Sequence, residues 1–209
     1  MKNKKDIRMI IFWICISLFV IVSILVLTKL SKPIDEGVQS FILKIRNNHL
    51  TNIFTIFTNL GGAYALLAIT TLLILIKKNK KTSIFIAINL VCVFLSSQLL
   101  KFIFRRSRPA EIFLVNASGY SYPSGHMMVS TAFYVYILYL ILITIKNKVL
   151  KIIFAIGAIT LILLIGFSRI YLGVHYTTDV LAGLFLAIAY LMLFIKFTSK
   201  EKKIEDKKE

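Results

Sequence analysis

Apolar residues run in long blocks along this chain, separated by short polar segments rich in lysine and arginine. Six blocks approach or exceed the roughly 20 residues that carry a helix across a bilayer. They lie at about 9–30, 54–76, 82–104, 125–145, 149–167 and 179–197. In lipid a spanning segment must satisfy its own backbone hydrogen bonds, so each block predicts a helix. Between the first two blocks, Ile34, Val38, Phe41, Ile42 and Ile45 repeat at helical spacing. Asp35 and Glu36 sit in the first turn of that stripe and Lys44 and Arg46 near its last, the order a helix dipole favours. The stripe predicts a short interfacial helix on the outer leaflet. A loop helix packed on the bundle fits the same pattern. The expected fold class is therefore all-α: a polytopic membrane protein of six transmembrane helices, with a short interfacial helix between spans 1 and 2. Residues 1–199 read as one domain, and 200–209 as a charged, disordered cytoplasmic tail.

Charge then orients the bundle. Lys2, Lys4, Lys5 and Arg8 precede span 1; Lys77, Lys78, Lys80 and Lys81 lie between spans 2 and 3; Lys146, Lys148 and Lys151 lie between spans 4 and 5. Lys196, Lys200, Lys202, Lys203, Lys207 and Lys208 end the chain, so these four segments hold 17 of the 26 Lys and Arg. With six spans all four share one side, which the positive-inside rule makes cytoplasmic. Both termini are then cytoplasmic, and the 1–2, 3–4 and 5–6 loops face outward. The net charge of +17 is thereby explained by topology and anionic headgroups, and no nucleic-acid partner is needed.

Composition agrees, since 58% of residues are hydrophobic and 17% are charged. Soluble domains are less apolar and more highly charged than this. The first apolar run is too long for the core of a signal peptide and lacks a small-residue cleavage site, so it reads as a retained helix. Cys15 and Cys92 both fall inside apolar runs and read as buried thiols, without a disulfide framework or a metal site.

Candidate chemistry lies in the outward loops. His175 and Asp179 are four apart, so a helical turn places them on one face. A carboxylate beside an imidazole fixes its tautomer and makes the other nitrogen a better base or nucleophile. Alone, this stretch reads equally well as a polar link between spans. Arg105, Arg106 and Arg108 open the 3–4 loop, where the positive-inside rule argues against cations, and an anionic ligand is the simplest reason for them. Tyr122-Pro123-Ser124-Gly125-His126 stands immediately before span 4. Ser124 can cap that helix, and exposed N–H groups at a helix start form a phosphate site. An N-cap with an interfacial histidine is the plainer reading. Lys101 at the end of span 3 either snorkels to the interface or joins this group. The paired Gly61 and Gly62 in span 2 read as a place of close helix approach.

Three motifs thus share one membrane face: Lys101, six residues, Arg108-Pro109; Pro123-Ser124-Gly125-His126; and Ser168-Arg169, five residues, His175, three residues, Asp179. In this order the chain resembles the type 2 phosphatidic acid phosphatase (PAP2) superfamily, the lipid phosphate phosphatases. It is most similar to the short bacterial members. Soluble bacterial acid phosphatases and vanadium haloperoxidases share the motif set. The resemblance implies a phosphate clamp of Lys101, Arg108 and Arg169, with Ser124 and the Gly125 N–H as neutral donors. It implies His175 as the nucleophile that forms a phosphohistidine, Asp179 as its orienter, and His126 as the acid that protonates the leaving oxygen and then activates water. Ser124 as nucleophile is disfavoured, because its flanks form no Gly-x-Ser-x-Gly elbow.

No metal and no other cofactor is expected. The outward side offers only Asp35, Glu36, Glu111 and Asp179 with His49, His126 and His175, few ligands for a two-metal site among so many arginines. The expected partners are the membrane and a lipid phosphate in its outer leaflet. The lead substrate is undecaprenyl diphosphate, with phosphatidylglycerol phosphate close behind and phosphatidic acid a third candidate. A lipid phosphotransferase would use the same motifs. A transporter with an anion-binding vestibule would not need the two histidines and the carboxylate, and six spans argue against a haloperoxidase.

Overall fold

The computed structural model describes residues 4–76, 80–109 and 113–205, and among them contains helices and connections but no strand. Lys2, Lys77, Lys78, Glu111, Lys207 and Lys208 fall outside the described residues. In chain order the helices are α1 (Lys4–Leu27), α2 (Lys32–Ile45), α3 (Asn48–Leu60), α4 (Ala63–Ile76), α5 (Lys80–Phe104), α6 (Gly125–Thr144), α7 (Lys148–Tyr171) and α8 (Thr177–Glu205). Helices α1, α5, α6, α7 and α8 are each long and apolar enough to cross a membrane, and α3 with α4 makes a sixth crossing when the bent pair is taken as one span. The bundle wears its apolar residues outside as well as inside. Trp13, Leu75 and Phe102 are all more than half exposed, as side chains facing acyl tails should be.

The second span differs from expectation. It begins at Asn48, where the Asn47 side chain caps Leu50 N–H at 2.9 Å, and it is broken at Gly61-Gly62 with a bend of 46°. The break has a local cause. Gly61 N–H closes on Thr58 O and Gly62 N–H on Asn59 O, tightening the last turn of α3 and redirecting the chain. The close approach expected of the glycine pair is also present. A Cβ on Gly61 would lie 2.6 Å from Ile165 Cγ2 on α7.

Helix α2 forms where the stripe predicts it, but it is rotated. Its buried positions are Asp35, Gln39 and Ile42, while Ile34 and Phe41 stay more than half exposed. The polar Asp35 therefore faces the bundle, and part of the apolar stripe faces away. Cys15 is buried as expected; Cys92 is exposed on α5. Helix α8 continues to Glu205, so helical backbone extends into the segment expected to be a disordered tail.

Helix α6 is the hub and packs against α5, α7 and α8; α1 covers the far side of α8. The largest core cluster joins α4, α5, α6 and α8 through Leu66, Val93, Phe133, Tyr136 and Leu191. A second cluster, including Met127, Ile170, Tyr171 and Val180, lies under the α7–α8 connection. Helix α8 also crosses the start of α6 closely, here against backbone. A Cβ on Gly183 would stand 2.7 Å from Ser124 O and 3.2 Å from Met127 Cβ. Backbone cannot yield there as a flexible side chain can. Gly183→Ala is therefore expected to destabilise the protein by about 1–3 kcal/mol, the usual range for overpacking. A thermal midpoint in detergent equal to the parent's would show that α8 can slide to accommodate the methyl group.

Candidate active site

Three segments meet at one end of the bundle: the end of α5 with the following loop, the start of α6, and the α7–α8 connection. Backbone bonds tie them together. Ser124 N–H donates to Asp179 O at 2.9 Å, Leu114 N–H to Leu172 O at 3.1 Å, and Ser121 N–H to Arg106 O at 2.9 Å.

His175 stands two residues before α8, and its own N–H and that of Val174 both donate to Arg169 O, which pins this backbone to the end of α7. Its ring is buried, with Nδ1 3.3 Å from Asp179 Oδ2. That oxygen also accepts Tyr176 N–H at 3.0 Å, and Oδ1 accepts Arg106 Nη1 at 2.7 Å. Both carboxylate oxygens act as acceptors, so Nδ1 must donate and the lone pair resides on Nε2. Nε2 lies 3.3 Å from Arg108 Nη1.

The cations are held by backbone carbonyls. Arg108 donates through Nε to Gly119 O (3.0 Å), through Nη2 to Ser118 O (2.7 Å) and through Nη1 to Val174 O (2.7 Å). Lys101 Nζ donates to Tyr120 O at 2.9 Å instead of snorkelling away from the bundle. Arg169, almost fully buried, bonds Thr58 Oγ1 on α3 through Nη1, while its Nε–H has no partner among the described residues. Lys101, Arg108, Gly125, His126, Arg169 and His175 line a common cavity of about 270 Å³. Leu66, Phe94 and Val129 give it an apolar wall.

Six of the eight residues singled out from the motifs thus surround one space. Asp179 lies behind His175. Ser124 also lies off the cavity: it is buried, and its Oγ accepts the Met127 N–H at 3.4 Å as the N-cap of α6. The three loop arginines part company. Only Arg108 reaches the cavity. Arg105 is exposed, with Nε on Phe102 O, and Arg106 is bound to two carboxylates, Asp35 and Asp179. Reading all three as ligands of an anion was therefore wrong for Arg105 and Arg106. Asp35, which the sequence offered as a helix-dipole residue and an outward carboxylate, is a buried part of the assembly, and no local pattern links it to Arg106. Among the described residues no three His, Cys, Asp or Glu side chains converge as a metal site.

Burial, and then the positive charges of Arg169, Arg108 and Lys101, push the basicity of His175 well below the usual histidine range. The ring is consequently neutral near pH 7, as a nucleophile or base must be. The folded protein refuses a proton that the unfolded chain takes up below about pH 6.5. Stability is then expected to fall as pH drops from there, by about 1.4 kcal/mol per pH unit for this one group. His175→Gln should flatten that acid limb in thermal scans. An acid limb as steep as the parent's would show that other groups cause it.

Fold and site together define a polytopic membrane protein with a cationic pocket, two histidines in its wall and a carboxylate behind one of them. Residues 81–203 match the PAP2 superfamily. The chain is 30% identical over 199 residues to phosphatidylglycerophosphatase B of Bacillus subtilis (strain 168), covering 90% of this chain and 95% of that one. It is also 30% identical over 206 residues to an undecaprenyl-diphosphatase of Sulfolobus acidocaldarius, covering 93% and 95%. The crystal structure of a transmembrane PAP2-type phosphatidylglycerolphosphate phosphatase from Bacillus subtilis superposes with a TM-score of 0.84 at 28% identity, over 90% of this chain and 96% of that one. Aquifex aeolicus LpxE shares the fold, with a TM-score of 0.64 at 24% identity over 78% and 95% of the two chains. The chain belongs to the PAP2 superfamily. It is a multi-pass membrane phosphatase acting on lipid phosphates.

Proposed function

We propose that this protein hydrolyses the phosphate or diphosphate headgroup of a membrane lipid at the outer face, without a metal, through a phosphohistidine on His175. The observation that carries the reading is the His175 ring itself. Nδ1 is committed to Asp179, while Nε2 stands at a cavity walled by Lys101, Arg108 and Arg169. A phosphoryl group seated among these cations has its charge balanced while Nε2 attacks phosphorus. The N–P bond forms as the bond from the attacked terminal phosphorus to its bridging oxygen breaks, and His126 delivers a proton to the departing oxygen. The leaving group is the lipid alcohol from a monophosphate or the lipid monophosphate from a diphosphate. Water then loses a proton to His126 and attacks phosphorus, the N–P bond breaks, and inorganic phosphate leaves. Ser124 contributes by fixing the start of α6, which presents Gly125 and His126. Three cations in the wall would repel a second set of cations, which favours a metal-free reaction.

The Lys and Arg distribution supports an orientation with this end of the bundle facing outward and both termini cytoplasmic. Undecaprenyl diphosphate is the lead substrate, since several cations suit a diphosphate, and phosphatidylglycerol phosphate is the alternative. The names of the two relatives support one lipid each.

The test is phosphate release by purified protein in detergent from undecaprenyl diphosphate, phosphatidylglycerol phosphate and phosphatidic acid, each with and without EDTA. Release from at least one lipid, unchanged by chelation, is expected. No release across the panel by folded protein overturns the substrate class, and loss on chelation overturns the metal-free reaction.

A further inference from the structure

Behind the cavity lies an ion cluster that the proposed chemistry does not use directly. Arg106 bridges two buried carboxylates, with Nη2 2.7 Å from Asp35 Oδ2 and Nη1 2.7 Å from Asp179 Oδ1. Asp35 also accepts the Thr178 N–H through Oδ1 at 3.1 Å and the Thr178 hydroxyl through Oδ2 at 2.7 Å. Arg106 Nη1 completes the ring on Thr178 Oγ1 at 2.8 Å. The guanidinium lies over the Tyr176 ring at 4.1 Å.

We propose that Arg106 and Asp35 are positioning residues for the phosphatase reaction, holding the Asp179 carboxylate in the orientation that lets it accept the His175 Nδ1 proton. The proposal rests on the phosphohistidine reading above. Asp179 has two oxygens and two jobs. Oδ2 must face His175 and Tyr176 N–H; Oδ1 must be occupied elsewhere, or the carboxylate can rotate and withdraw Oδ2 from the ring. Arg106 occupies Oδ1. Arg106 has its own freedom to lose, and Asp35 removes it by taking the other guanidinium nitrogen. Asp35 in turn comes from α2, and through Thr178 it satisfies a free N–H in the first turn of α8, the helix that carries Asp179. Two side chains outside the cavity wall thus fix the angle of its central pair.

The location of α2 gives this cluster a second consequence. Ile34 and Phe41 on its other face are exposed, where acyl chains or headgroups would meet them. How α2 seats on the bundle therefore sets how firmly Asp179 is held. Burial would weaken the charge on Arg106, but Asp179 and Asp35 outweigh it and hold the guanidinium firmly protonated.

A structural salt bridge and a positioning device both lower stability when cut, so turnover is the deciding quantity. Arg106→Gln and Asp35→Asn are to be compared with the parent in kcat, KM and thermal midpoint, with His175→Ala assayed alongside. Arg106→Gln is expected to lose about 10–100-fold in kcat with KM within about twofold, and Asp35→Asn somewhat less. The double variant should lose little more than Arg106→Gln alone, because both act through one carboxylate. Added guanidinium should restore part of kcat to Arg106→Ala and nothing to Asp35→Asn. If Arg106→Gln fails to fold, Arg106→Lys and Asp35→Asn carry the comparison, and normal kcat in both overturns the proposal. Folded Arg106→Gln with parental kcat, or a loss expressed only in KM, also overturns it. A His175→Ala variant that still turns over would instead overturn the phosphohistidine reading beneath it.

Discussion

His175→Ala is expected to lower phosphate release from the preferred lipid by about 10⁴-fold or more, with the protein still folded and KM little changed. The magnitude follows from the role: removing a nucleophile removes the reaction path, whereas removing one member of a clamp weakens it. In the proposed mechanism lipid binding would rest on Lys101, Arg108 and Arg169, and the carbonyls at Tyr120, Ser118, Gly119 and Val174 that hold the first two do not involve the imidazole. The variant should therefore still bind substrate. A quenched reaction of the parent with labelled lipid phosphate should show acid-labile, base-stable label on the protein, and the variant should show none. Turnover by His175→Ala within tenfold of the parent would mean that phosphorus is attacked by another group. Ser124 would be a poor replacement, because its Oγ is buried and faces the Met127 N–H.

What the sequence could disclose was set by how far each signal travels along the chain. Span positions were legible because hydropathy is a property of consecutive residues, and the end of α5 at Phe104 and the start of α6 at Gly125 fall where the apolar blocks change. The gathering of Lys101, Arg108, His126, Arg169 and His175 was legible through motif order, since short loops between antiparallel spans return the chain to the same face. The break at Gly61-Gly62 was hidden because α3 and α4 are both apolar, and an average over the block passes across the bend without a signal. The glycines announced close approach, which they have, but not the tightened turn that comes with it. The Arg106–Asp35 pair was hidden for a different reason. Its partners are 71 residues apart, and helical periodicity describes one face of one helix without saying what it meets. Arg106 even looked like its neighbours: three arginines within four positions suggest one purpose, although only the third faces the cavity.

His126→Ala is expected to split the two halves of the reaction. With an alkyl phosphate monoester, the leaving alkoxide needs a proton, and loss of the acid should slow phosphate release by about 10²–10⁴-fold. With an aryl phosphate the leaving group departs without help, so the first displacement recovers. The second does not, because water must still give up a proton as it attacks the phosphohistidine. Intermediate then accumulates, and the aryl alcohol should appear as a burst of about one equivalent per active site followed by a slow steady rate. A diphosphate lies between these cases, since its leaving phosphate is a better group than an alkoxide, so His126→Ala should damage diphosphate cleavage less than monoester cleavage in single turnovers. His126 lies in the first turn of α6 and lines the same cavity as His175, where one imidazole can serve both the departing oxygen and the incoming water. A variant that slowed both substrates equally and showed no burst would mean that His126 binds the headgroup and carries no proton. The acid and the water-activating base would then have to be sought among the other groups lining the cavity.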